Sequence, residues 1–107
     1  MVLRDMLERG EPAISVDRIQ DVVSAHFKIS LDLLVSNKRS KEIAMARQVA
    51  MYLARQLTKS SLPDIGRQFG GKDHTTVLHA CEKIRRLVES DGQLKAELDQ
   101  LVSRLQG

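Results

Sequence analysis

Between positions 70 and 80 the chain runs Gly70-Gly71-Lys72-Asp73-His74-Thr75-Thr76-Val77-Leu78-His79-Ala80. Short hydrogen-bonding side chains therefore stand at the start of an otherwise amphipathic helix. Asp73 is an N-cap by residue type, and His74, Thr75 and Thr76 fall in the exposed first turn. Gly70 and Gly71 end the preceding segment and permit positive φ. The N–H groups left free in such a turn, together with the positive end of the helix dipole, suit a phosphate. Asp, His and Thr side chains also reach base edges in a major groove.

Other chemistries fit the same residues poorly. Gly66-Arg67-Gln68-Phe69-Gly70-Gly71-Lys72 matches most of a phosphate-binding P-loop. It fails at Asp73, where a Ser or Thr should meet magnesium and where a carboxylate repels a nucleotide, and no strand precedes it. His74 and His79 are five positions apart, so on one helix they diverge instead of sharing a metal as an i, i+4 pair does. No Ser, Cys or Lys comes with an assured base and orienter, and Cys81 lies on an apolar stripe as a small hydrophobe. The expectation is no catalytic residue, no metal and no cofactor in this segment. Met45 and Met51 read as gap-filling core or ordinary surface.

The elements that must carry the polar cluster follow from periodicity. Ser61 caps a short helix over Leu62-Pro63-Asp64-Ile65-Gly66-Arg67-Gln68, with Asp64 completing a capping-box pattern and Pro63 in the first turn, where it sacrifices no helical bond. A second helix runs from about His74 to Val88, with Val77, Cys81, Ile84, Val88, Leu78 and Leu87 toward the core. Two helices joined by a tight glycine turn make a helix-turn-helix. Upstream, Ser15 caps a helix bearing Val16, Ile19, Val22, Val23 and Phe27. Ser30 opens a short turn with Leu31, Leu33, Leu34 and Val35. After a basic link from Ser36 to Ser40, a long helix from about Lys41 to Leu57 sets Ile43, Ala46, Ala50, Leu53 and Leu57 along one side as the central scaffold. Beyond the Ser90-Asp91-Gly92 break, Leu94, Leu98, Leu101, Val102 and Leu105 mark a terminal amphipathic helix.

The chain has 107 residues, 42% of them hydrophobic, enough for one domain with a modest core. Aromatic residues are only 3%, Trp is absent, and aliphatic and helix-compatible residues dominate, which favours an all-α fold, a compact helical bundle. A single cysteine excludes an intramolecular disulfide and suits a reducing cytoplasm. The net charge of +3 matters less than where it sits. Between Ser36 and Lys59 there are six basic residues (Lys38, Arg39, Lys41, Arg47, Arg55, Lys59) against one acid, Glu42. Such a stripe is the footprint of phosphate binding, or else a solvated helix face; the cluster at Lys72 to Thr76 tips the balance to the former.

From Leu62-Pro63-Asp64-Ile65-Gly66 through Phe69 to Asp73-His74-Thr75-Thr76-Val77-Leu78-His79-Ala80, the sequence resembles the signature of the C-terminal domain of the bacterial chromosomal replication initiator DnaA. The likeness extends from about Ile14 to about Val88, and Val2-Leu3-Arg4-Asp5-Met6-Leu7 is similar to the end of the connecting helix that leaves that family's ATPase region. The resemblance implies sequence-specific binding of double-stranded DNA at DnaA boxes, short asymmetric A·T-rich elements at replication origins, by one chain per box in the nucleoid. It implies base contacts from Asp73, His74 and Thr75 in the major groove, apolar contacts from Pro63 and Ala80, and insertion of Arg39 into the minor groove. Phosphate contacts fall to Lys41, Arg47, Gln48, Lys72, Thr76 and Lys83. ATP is implied only for the family's ATPase region, and acidic phospholipid is a further possible partner. Lys72 and Lys41 stand where Arg is usual, which puts any bidentate contact there in doubt; Ala46 stands where Pro is often found.

On this reading residues 1–14 are linker, the end of the connecting helix of an excised domain, and residues 15–107 are the DNA-binding domain. Two rival expectations remain. One is a small helix-turn-helix transcriptional repressor, whose dimer contact would fall to the Leu94 to Leu105 helix. The other is a basic module for an acidic protein partner, or for acidic lipid through Met1 to Leu7.

Overall fold

A computed structural model describes residues 14–106, and among these the secondary structure is entirely helical. The segment expected to be linker and connecting helix lies outside the described residues, apart from Ile14. Six helices follow in order: α1 (Val16–Phe27), α2 (Leu31–Leu34), α3 (Lys41–Leu57), α4 (Leu62–Gln68), α5 (His74–Ser90) and α6 (Gly92–Gln106).

The helices start where short polar side chains accept first-turn N–H groups. Ser15 Oγ accepts from Arg18 N at 3.1 Å, Ser30 Oγ from Leu33 N at 3.2 Å and Ser61 Oγ from Asp64 N at 3.2 Å. Each such cap contributes about 1 kcal/mol. Asp64, expected to complete a capping box, has its carboxylate paired with Arg67 on the same short helix. Asp91, within the expected break, accepts from both Gln93 N and Leu94 N and is the single residue between the end of α5 and the start of α6.

Helix α3 is the central scaffold, packed against α1, α2, α4 and α5, while α6 lies across α1 and α5. Its buried face is wider than the expected stripe: Ala46, Ala50 and Leu53 are joined by Val49, Met51 and Ala54. Small residues here let neighbouring backbones approach closely. Val16, Ile19, Val22 and Val23 of α1, Ile65 of α4, Val77 and Ile84 of α5, and Leu94, Leu98, Leu101 and Leu105 of α6 complete one continuous core. Burial of each large aliphatic side chain contributes about 1.5 to 3 kcal/mol before conformational entropy is charged against it. Leu78, expected on the core stripe of α5, is instead 38% exposed, and Ala80 takes the buried place.

The α4–α5 turn is built around one carbonyl. Gly66 O accepts from Phe69 N, Gly71 N and Lys72 N at 3.2, 3.1 and 2.8 Å. Gly70 and Gly71 have φ of 82° and 80°, the left-handed backbone their residue type permits. Gly66 is needed for another reason: a Cβ there would lie 2.1 Å from Lys72 O. Phe69, fully buried, anchors the turn to the core.

Candidate nucleic-acid interface

The front turn of α5 faces solvent. Asp73, His74, Thr75 and Thr76 are all exposed, as is Pro63 on α4. Asp73 caps the helix by accepting from Thr75 N at 3.3 Å, and its carboxylate also lies 3.0 Å from His74 Nδ1. Thr75, first through its backbone N–H and then through its hydroxyl, holds the Asp73 carboxyl below the usual carboxylate range. Asp73 is therefore ionised at neutral pH and remains an acceptor. His79 does not join His74; it lies farther along α5 on the rim of a different groove.

That groove, about 240 Å³, runs between α3 and α5 and is lined by Arg47, Gln48, Met51, Thr76, His79, Ala80 and Lys83. It gathers Arg47, Gln48, Thr76 and Lys83, which the sequence places on two separate helices. Thr76 and Lys83 are exposed, and the Gln48 amide oxygen has no hydrogen-bond partner. Ala80, expected to touch a base, is 6% exposed and offers this groove only the edge of its methyl.

The basic loop from Ser36 to Ser40 projects Lys38 and Arg39 into solvent, and Lys41 is exposed at the first position of α3. Its backbone is irregular, and remote side chains hold it. Arg47, 8% exposed, spends its guanidinium on it: Nε donates to Leu34 O at 2.8 Å, Nη1 to Lys38 O at 3.0 Å, and Nη2 to Leu33 O at 3.2 Å and Ser36 Oγ at 3.4 Å. Lys72 behaves alike, donating through Nζ to Val35 O and Phe69 O, each at 2.8 Å. Burial, and after it the nearby Arg47 guanidinium, hold the Lys72 ammonium below the ordinary lysine range. Both cations were expected on phosphates; in the folded chain their donors point at backbone carbonyls. Gln20 of α1 ties down the end of α4 instead, its Nε2 donating to Gln68 O at 2.8 Å.

Sequence reading did not find these ties. Arg47 carried a signal: it shares the helical face of Ala50, Met51 and Ala54, so 3.6-residue periodicity places it inward. Nothing in the pattern around Lys72 or Gln20 marks carbonyls 37 and 48 positions away.

Charge is distributed unevenly over the surface. Arg85 and Arg86 pair with Glu89 and Glu82 along α5, and Lys95 pairs with Asp99 on α6. Lys38, Arg39, Lys41 and Lys83 form no ion pair among the described residues. A half-buried Cys81 has its thiol pushed up by burial and directed at Met51 O, which makes it a poor nucleophile. Among the described residues no helix is long and apolar enough to cross a membrane.

An exposed helix front, a loop of exposed cations and a groove between α3 and α5 that carries Gln48, Thr76 and Lys83 describe a nucleic-acid-binding surface. The family model of the bacterial dnaA protein helix-turn-helix matches residues 16–84, a span that takes in the basic loop, α4, α5 as far as Ile84 and the groove but not α6. The chain belongs to that family of replication-initiator DNA-binding domains.

Proposed function

We propose that this domain binds double-stranded DNA at DnaA-box elements of a replication origin, reading bases with the front turn of α5 in the major groove and with Arg39 in the adjacent minor groove. The observation that carries the reading is the adjacency of the two devices. Lys72, one residue before the α5 cap, reaches the carbonyl of Val35, one residue before the basic loop. The exposed turn and the base of the loop that carries the exposed arginine therefore meet at one joint.

His74 and Thr75 supply donors and acceptors for base edges. Asp73 serves both as cap and as an acceptor for a cytosine amino group. Pro63, exposed at the start of α4, offers an apolar surface to a thymine methyl, with Ala80 contributing little. Lys41, Gln48, Thr76 and Lys83 grip phosphates and fix register without conveying sequence. Arg47 adds to the same groove whatever part of its fork the loop carbonyls leave over. A narrow A·T-rich minor groove attracts the Arg39 guanidinium electrostatically.

The domain acts as one chain per asymmetric box. The leucine face of α6, which a dimeric repressor would need, is spent inside the chain: Leu94, Leu98, Leu101 and Leu105 are buried against α1 and α5. The domain itself carries out no catalysis, and its cellular place is the cytoplasmic nucleoid. Binding to acidic phospholipid, if this chain has it, belongs to Met1 to Leu7, outside the described residues.

A fluorescence-anisotropy titration with a one-box duplex and a scrambled duplex of equal composition tests the reading. The box is bound at least about 10³-fold more tightly at physiological salt. Equal affinity for both duplexes would overturn it.

A further inference from the structure

The loop and the reading turn are separated in sequence by α3 and α4, yet they are joined by a specific set of bonds. Lys72 Nζ sits between Val35 O, at the end of α2, and Phe69 O, at the end of α4. The fit around it is close. Gly70 passes so near that a Cβ there would lie 2.3 Å from Val35 O and 3.2 Å from Lys72 Nζ. On the loop side, Val35 N and Ser36 N are themselves bonded back to Leu31 O and Leu33 O, and Lys38 N to Ser36 Oγ. On the turn side, Lys72 N is bonded to Gly66 O at 2.8 Å. The lysine thus bridges two backbone segments that are each already fixed.

We infer that Lys72 is a positioning residue for DNA recognition, setting the separation between the front turn of α5 and the loop that carries Arg39. The inference rests on the DNA-box reading above and assigns Lys72 a part different from a phosphate ligand. A duplex fixes the distance between a major groove and the neighbouring minor groove. Two reading devices held at that distance bind together, without either having to be ordered on arrival. A loosened joint leaves each device intact and removes the benefit of their pairing. Lysine suits the place chemically, because a compact ammonium with three donors on a flexible stem can serve two carbonyls at once.

The test uses Lys72→Met and Lys72→Arg in the whole chain. Without DNA, amide exchange at Val35, Ser36 and Lys38 quickens in Lys72→Met beyond any change set by its melting temperature, while His74 to Thr76 are unaffected. With the one-box duplex, Lys72→Met loses about tenfold in affinity, an energy typical of coupled neighbours, and the salt slope stays as in the parent. Adding Arg39→Ala to Lys72→Met then costs much less than Arg39→Ala alone. Lys72→Arg, which retains donors for both carbonyls, recovers most of the loss; if Lys72→Met does not fold, Lys72→Gln takes its place. Additive costs of the two substitutions would overturn the inference. So would equal losses on box and scrambled duplexes with the salt slope reduced by about one, which marks a phosphate ligand. A parent chain with no box preference would overturn the DNA-box reading instead, and the exchange measurement would still decide whether Lys72 holds the joint.

Discussion

The two devices proposed to face DNA are made in opposite ways. The front turn of α5 is local: Gly70 and Gly71 turn the chain, Asp73 caps the helix from one residue before it, and Thr75 answers the cap. The basic loop is remote: the carbonyl of Lys38 within it and those of Leu34 and Val35 that lead into it are held by Arg47 from the first half of α3 and by Lys72 from beyond α4. A local device withstands changes elsewhere in the domain, whereas a remote one reports on the packing that brings its clamps into place. The difference teaches that part of the basic stripe in this sequence serves the shape of the loop, and only the remainder is available to a duplex.

The largest effect that sharpens this contrast is expected from Arg47→Met. It takes the Arg47 donor from the carbonyls of Leu34 and Lys38, leaves Leu33 O with its bonds from Ser36 alone, and costs about 2 to 4 kcal/mol of stability, seen as a lower melting temperature. Amide exchange should quicken in the loop and leave the α5 front turn protected. A uniform change across both regions would erase the distinction between them.

Next come the exposed tips. Arg39→Ala and His74→Ala each cost about 1 to 3 kcal/mol on a box duplex, with far less change on random duplex for His74→Ala. Neither should move the melting temperature, because both side chains stand in solvent. Equal losses on both duplexes for His74→Ala would remove it from base reading.

Lys83→Ala acts on the groove between α3 and α5. It weakens binding to every sequence and lowers the salt slope by about one, measured by titration at several ionic strengths. An unchanged slope would take Lys83 off the phosphates.

The smallest effect concerns the local cap and its pH dependence. The Asp73 carboxyl has a depressed pKa in the folded chain, so its capping contribution is present above the ordinary carboxylate range and is lost as pH falls through the lower, folded value. Melting temperatures of the parent chain should therefore fall more steeply between pH 5 and pH 2 than those of Asp73→Asn, whose cap does not ionise. Parallel curves would mean that the cap contributes nothing that titrates.

Legibility in the sequence follows the same division. The caps Ser15, Ser30, Ser61 and Asp73, the glycine turn and the helix periodicities were readable because each depends on residues within a turn or two of one another, and the helices begin where those residues predict. The long helix from Lys41 to Leu57 matches its expected span for that reason. What was not readable depends on chain segments meeting in space. Gly66 looks like an ordinary helix residue until Lys72 O arrives beside it, and Leu78 looks like core until Ala80 proves to face α3. Lys72 and Arg47 carry the charge expected of phosphate ligands, and only the folded chain reveals the carbonyls that take up their donors. The exposed candidates Arg39, Pro63, His74, Thr75 and Thr76 face solvent in the folded chain.

The central claim is that the α5 front turn and the Arg39 loop meet a duplex together. Titration of the isotopically labelled chain with a one-box duplex, followed by amide chemical-shift changes, tests it most directly. The amides of Asp73 to Thr76 and of Asn37 to Lys41 should shift along one common saturation curve, while those on the solvent side of α6 stay in place. Shifts that map to α6, or to only one of the two devices at saturation, would contradict the account.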